Sequence, residues 1–187
     1  MRKIFYKSLV LIILIFSSGI INSQIFYAGR SCIQLGYCFT NSLNDLKTIS
    51  FRDGFEFSGS YEYAASDNFG IGFNSHYARY TDGNYYYFYN ADRISFLLSG
   101  NFHIGDTYII DPYAKFGIGS SMTLMDYYYY NNYGTDSNTR FGFIYEVSGG
   151  AKLMLTENIG FYAEAGLRNI PGKKFNLNLQ AGLAFAF

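Results

Sequence analysis

"FNLNLQAGLAFAF" closes the chain at residues 175–187, and its two faces differ at almost every step. The odd positions are Phe175, Leu177, Leu179, Ala181, Leu183, Phe185 and Phe187. The even positions are Asn176, Asn178, Gln180, Gly182, Ala184 and Ala186. A period of two belongs to a β-strand, whose successive side chains point to opposite sides. "IGFYAEAGLRN" (159–169) repeats the pattern, with Ile159, Phe161, Ala163, Ala165 and Leu167 set against Gly160, Tyr162, Glu164, Gly166 and Arg168.

The alternation extends upstream through 31–40, 51–64, 69–80, 93–105, 112–124 and 140–155. With the two final segments this predicts eight strands and no helical period in the mature chain. Connections at 65–68, 105–111 and 156–158 are short or fairly short. Those at 41–50, 81–92 and 126–139 are long and polar, and 171–174 is short where a long one is due. Short turns at one end and long loops at the other predict an all-β fold: an antiparallel up-and-down meander closed into one barrel.

Alternation alone does not say which face is inside. A soluble lipocalin-like barrel would hide the apolar face, and a membrane barrel would invert the arrangement. Glycine separates the two. Gly36, Gly54, Gly70, Gly72, Gly117, Gly119, Gly142, Gly150, Gly160, Gly166 and Gly182 all share the polar face. Glycine weakens a strand and is kept where space is tight. The interior of an eight-stranded barrel is only wide enough for side chains to fill it. The polar face is therefore the inner one, and the apolar face meets an apolar surrounding.

The N-terminus names the route. Arg2, Lys3 and Lys7 precede the apolar run "SLVLIILIFSSGII" (8–21), and Ser23 offers a small residue for cleavage. This is the plan of a secretory signal peptide over residues 1–23, with cleavage after Ser23 or Gln24. The run is shorter than the roughly 20 residues a membrane-spanning helix needs. Residues 24–187 are expected to form one exported domain, and an outer membrane is the simplest apolar surrounding for it.

Composition agrees with this class. Aromatics reach 21% and charged residues only 15%, with 20 glycines and 2 prolines. Removing Arg2, Lys3 and Lys7 from the 14 basic residues leaves 11 against 14 acidic, so no basic surface for nucleic acid is expected. Cys32 and Cys38 fall on one strand, roughly 20 Å apart at ~3.3 Å per residue, beyond disulfide reach. They read as space-filling free thiols. Zinc would need more ligands than these two, and no metal or cofactor motif is present.

The opening "PYAKFGIGSS" (112–121) and the ending "LNLQAGLAFAF" (177–187) resemble the small OmpA/OmpX-type outer-membrane β-barrels. The resemblance covers the mature chain. It implies that Phe185 and Phe187 form a C-terminal aromatic signal read by the barrel-assembly machinery. The periplasmic peptidoglycan-binding domain of full-length OmpA proteins is not expected here.

On this parity Arg30, Arg52, Glu56, Glu62, Arg93, Lys115, Glu146, Lys152, Glu164 and Arg168 point inward. Opposite charges in such an interior must pair to offset desolvation. The tight turn at 156–158 makes paired positions sum to about 314, which sets Glu146 opposite Arg168 and Lys152 diagonal to Glu164. The expectation is a salt-bridged plug, with a narrow ion path as the alternative. Catalysis would have to use His76 or His103. Ser75 adjoins His76 but points to the opposite face, so no Ser/His pair forms and no enzyme is expected.

"NYYYFYN" (84–90) and "DYYYYNNYG" (126–134) place Tyr85, Tyr86, Tyr87, Tyr127, Tyr128, Tyr129, Tyr130 and Tyr133 where strands leave the outer leaflet. Tyrosine suits that boundary because its ring sits among headgroups and its hydroxyl reaches water. The same rings could form a contact surface for an extracellular protein or glycan. The functions in view are a structural or surface-interaction barrel, a small passive channel, and an outer-membrane enzyme acting on lipid.

Overall fold

The computed structural model describes residues 25–42, 54–83, 87–104, 109–129, 135–169 and 175–187. The expected signal peptide (1–23), Arg52, Tyr85, Tyr86, Tyr130 and Tyr133 lie outside the described residues. Eight strands follow one another in order: β1 (Ser31–Ser42), β2 (Gly54–Ala64), β3 (Phe69–Gly83), β4 (Tyr87–His103), β5 (Ile110–Tyr129), β6 (Thr135–Met154), β7 (Ile159–Asn169) and β8 (Phe175–Ala186). Each pairs antiparallel with its neighbour, and β1 pairs with β8 to close the barrel. The seam ends in a reciprocal backbone pair: Ser31 N–H donates to Phe187 O, and Phe187 N–H donates to Ser31 O, both at 2.9 Å.

Parity runs as the glycines indicate. Along β7 and β8 the even positions Tyr162, Glu164, Arg168, Asn176, Asn178 and Gln180 are buried, while Phe161, Leu167, Phe175, Leu179 and Leu183 face outward. Gly182 shows why the inner face needs glycine. A Cβ there would run into Leu35 O and stand 2.5 Å from Gly36 Cα across the seam.

An apolar band girds the outside. It runs from Phe69 to Tyr77 on β3, from Phe102 to Ile94 on β4 and from Ala114 to Leu124 on β5. Nine to eleven residues at ~3.3 Å each, tilted ~45°, rise roughly 21–26 Å, close to the ~25 Å apolar band of an outer-membrane barrel.

The strands continue beyond that band, which corrects the sequence reading. The segments 81–92 and 126–139 are largely ladder, not loop: β3 reaches Gly83, β4 starts at Tyr87, β5 reaches Tyr129 and β6 starts at Thr135. Outside the membrane both faces meet water, so hydrophobic alternation fades while hydrogen bonding persists. Cross-strand polar pairs replace it on β3–β4, with Thr81 Oγ1–H donating to Asn90 Oδ1 at 2.9 Å and Arg79 bidentate on Asp92 at 2.8 Å. Arg79, aided by the Tyr77 O–H that donates to Asp92 Oδ1 at 2.8 Å, holds the Asp92 carboxyl below the usual carboxylate range.

A second correction concerns Asp111. It reads as turn because it precedes Pro112. In the structure it lies within β5, opposite Lys152 on β6, and its side chain is buried.

Candidate functional site

The lumen is the only large assembly of polar side chains among the described residues, and it is filled. Glu56, Glu62, Arg93, Lys115, Glu146, Lys152, Glu164 and Arg168 are each at most 5% exposed. Inward-pointing residues from eight strands converge on a narrow axis, so a long side chain reaches across as easily as sideways.

The upper cluster centres on Arg168 of β7. Its Nε donates to Glu146 Oε2 on the adjacent β6, and its Nη1 donates to Glu56 Oε1 on β2, across the lumen. Glu56 Oε2 also accepts from Arg93 Nη2 at 3.1 Å and from Tyr80 O–H at 2.8 Å. The Arg93 guanidinium lies 5.2 Å from the Tyr80 ring centroid. Lys115 of β5 bridges Glu146 at 3.0 Å and Glu164 at 2.6 Å. Glu164 accepts further bonds from Tyr113 O–H and Ser148 O–H at 2.9 and 2.8 Å. Three acids thus face three bases, and each charge has more than one partner.

The lower cluster gathers Glu62, His103, Asp111 and Lys152. Lys152 Nζ stands 2.7 Å from Glu62 Oε2 and 3.3 Å from Asp111 Oδ2. It lies diagonal to Glu164 in register, since Tyr162 is its direct partner on β7. Its ammonium nevertheless takes the cross-lumen carboxylate, and Glu164 takes Lys115. His103 Nε2 and Nδ1 lie 2.7 Å from Glu62 Oε1 and Asp111 Oδ1. Two carboxylate acceptors require two N–H donors, so the geometry is that of an imidazolium.

The N-terminal segment seals this end. Gly29 turns the chain with φ +88°, and its N–H donates to Ala64 O at 2.8 Å. Arg30 Nη1 donates to Ile25 O at 2.6 Å and its Nη2 donates to Glu157 O, pinning residues 25–30 beneath the barrel. Phe26 then stacks on His103, with centroids 3.4 Å apart and planes 12° apart, and Lys152 Nζ lies 5.3 Å from its ring centroid.

Asp111, His103 and Phe26 are participants that sequence reasoning did not place in a network. His103 shares the inward parity of β4, which was the available signal. Cys38, Glu56 and His76 also come together, their ligand atoms within 4.8 Å of one another, although they sit on three different strands. Ser75 Oγ–H donates to Gly59 O on the outer face, while His76 is buried in the lumen.

The remaining sequence-derived positions lie on the wall and rim. Phe185 and Phe187 take outward parity, Phe187 being 63% exposed. Tyr128 lies on the outward parity of β5; Tyr127 lies on the inward one, where its O–H contacts Met125 Sδ at 3.5 Å. Tyr87 and Tyr129 are paired on the β4–β5 ladder. Below them, Tyr37, Phe39, Phe55, Phe57 and Tyr77 form a connected outward aromatic cluster with centroid spacings of 4.8–6.0 Å.

Comparison with known proteins gives the same architecture. No curated protein matches the sequence. Among solved structures, Ail, the attachment invasion locus protein of Yersinia pestis, superposes with a TM-score of 0.61 at 14% identity, covering 86% of this chain and 99% of that one. A major outer membrane protein from Thermus thermophilus gives 0.64 at 11% identity, covering 86% and 100%. Neisserial surface protein A gives 0.57 at 14% identity, covering 84% and 96%. At these identities the likeness is one of fold. The profile of the outer membrane protein beta-barrel domain matches residues 11–187. The chain thus belongs to the outer membrane protein β-barrel domain family and is located in the bacterial outer membrane.

Proposed function

We propose that this protein is a closed, non-conducting barrel with a structural and surface-contact role, its lumen serving as an ion-paired plug and its extracellular rim as the working surface. One observation carries the reading: charged pairs cross the lumen at successive levels, Arg168 to Glu56 above and Lys152 to Glu62 below. An ion entering the lumen would have to break contacts whose loss leaves buried charges uncompensated.

The rim supports the second half. Its tyrosines offer rigid amphipathic rings at low entropic cost, the chemistry of aromatic contact surfaces. They suit an extracellular protein or glycan presenting flat apolar faces. Ail has been crystallised with the heparin analogue sucrose octasulfate. The weakly acidic mature chain here argues for neutral ligands over sulfated ones. Phe185 and Phe187, held outward on the closing strand, would engage the barrel-assembly machinery. No catalytic role is assigned to His76 or His103, whose ring nitrogens face charged lumen partners.

Planar-bilayer recording tests the plug: the purified barrel gives no stable single-channel steps, and large, stable conductance would overturn it. Replacing Tyr128, Tyr129, Tyr130 and Tyr133 with Ser tests the rim. Cells bearing the variant should lose surface adhesion, and unchanged adhesion would refute the contact role.

A further inference from the structure

We propose that residues 25–30 act as a pH-operated latch on the periplasmic end of the lumen, held shut by the His103 imidazolium and released when it loses its proton. The bonds that fasten this strap to the barrel come from its base. Gly29 N–H donates to Ala64 O at 2.8 Å, Ala28 N–H to Asp67 Oδ1 at 3.0 Å, and Arg30 Nη2 to Glu157 O. Arg30 Nη1 holds Ile25 O, a bond within the strap itself. The far end is seated by Ile25, which clusters with Met154 and Ala186, and by the Phe26 ring on His103.

That second seat depends on a proton. Glu62 of β2, Asp111 and Tyr113 of β5 and Lys152 of β6 face His103 or the groups it touches. From β3 comes only Gly70, where a Cβ would run into Glu62 Oε1. Cys32 of β1 lines a small cavity beneath the strap with Phe26, Arg30, Asp111 and Lys152. Protonated, the imidazole gives one N–H to each carboxylate at 2.7 Å, and His103 and Lys152 balance the two acids. Neutral imidazole keeps a single N–H. One ring nitrogen then turns a lone pair on a carboxylate oxygen, and one buried negative charge is left over. The ring must turn, or water must enter, to relieve that contact. Phe26 lies 3.4 Å from the imidazole with planes 12° apart, so a turn of the imidazole removes its seat. The attraction of a cation to the Phe26 face goes in the same step. The proton passes to periplasmic water, and the upper cluster is untouched.

The test uses the mature barrel folded in micelles, with heat-modifiability confirming that each variant folds. Phe26→Trp puts the chain's only indole on the strap. As the pH rises from about 5 to about 10, across the range in which histidine titrates, acrylamide quenching of that indole increases severalfold in one step. The NMR shifts of His103 follow the same midpoint. His103→Gln, neutral at every pH, removes the step and leaves the indole accessible throughout. A second reading keeps Phe26 in place. In a Cys38→Ser background at about pH 6, where an unperturbed histidine is protonated, a neutral thiol reagent modifies Cys32 at least tenfold faster once His103→Gln is added. Constant quenching while His103 titrates, a step that persists in His103→Gln, or equal Cys32 rates would each overturn the latch.

Discussion

Glu146 stands directly opposite Arg168 on the β6–β7 ladder, and the same guanidinium reaches across the lumen to Glu56. One cation therefore ties a neighbouring strand to the far wall. Arg168→Met is expected to destabilise the barrel by about 3 kcal/mol, the low end for a broken buried pair, because Glu56 keeps Arg93 and Glu146 keeps Lys115 when each loses Arg168. The double variant Arg168→Met/Glu146→Gln should recover part of that loss, since the excess buried negative charge is gone. Urea unfolding in micelles followed by heat-modifiability measures both. A double variant no more stable than the single one would show that the Glu146 contact contributes little.

Phe26 closes the opposite end. Its ring covers His103 and approaches Lys152, so Phe26→Ala opens the lower cluster to water. A cost of about 3 kcal/mol is expected from the lost burial, at the low end for Phe→Ala because the mouth lies near solvent. Hydrogen exchange gives the local signature: the His103 amide, bonded to Asn68 O at 2.8 Å, should exchange faster, while amides of the mid-barrel ladder keep their protection. Uniform acceleration through the barrel would argue against a local seal.

Legibility followed the range of the interaction. Glu146 and Arg168 could be set opposite each other from sequence because the short turn at 156–158 fixes the register of β6 and β7. The cross-lumen partnership of Lys152 with Glu62 could not, since parity tells which side chains enter the lumen but not which meet across it. Asp111 was hidden by the turn chemistry of Asp-Pro, and the upper ends of β3–β6 by the disappearance of apolar alternation above the membrane. Cys38 and His76 sit two strands apart on the β1–β2–β3 wall, and the long 43–53 connection leaves the β1–β2 register open. No spacing in the sequence encodes that.

The seam allows a sharper steric prediction. Gly182→Ala puts a methyl against Leu35 O and Gly36 Cα, both backbone atoms that cannot swing aside. Gly149→Ala faces outward, where its nearest neighbour would be 3.7 Å away in ordinary contact. The first should cost about 1–3 kcal/mol through overpacking and slow closure of β1 on β8, and the second should be close to neutral. Refolding kinetics into micelles separates them; equal behaviour would mean the seam has room that the geometry denies.

Above the membrane, Arg79 and Asp92 pair on the outer face of the β3–β4 extension. Because the Asp92 carboxyl is held low in the folded barrel, its contribution is present above the unfolded carboxylate value near pH 4 and fades as the pH falls further. The amides of Thr81 and Asn90 should therefore lose protection in acid, and Asp92→Asn should copy that loss at neutral pH. High salt should weaken the pair too, as both partners touch solvent. An acid-insensitive extension would show that the backbone ladder alone holds it.

Phe187 separates the energetics of folding from its recognition in the cell. The backbone of Phe187 locks to Ser31 through two hydrogen bonds that any residue could make, while its ring projects outward from the closing strand. Phe187→Ala should consequently fold into micelles with nearly unchanged stability. In cells the same variant should reach the outer membrane at a clearly lower level, because the exposed aromatic that the assembly machinery would bind is gone. Quantifying the heat-modifiable band in outer-membrane fractions against refolded protein distinguishes the two effects. Normal levels in the membrane would dismiss Phe187 as an assembly signal, and a matching defect in vitro would make it a stability residue instead.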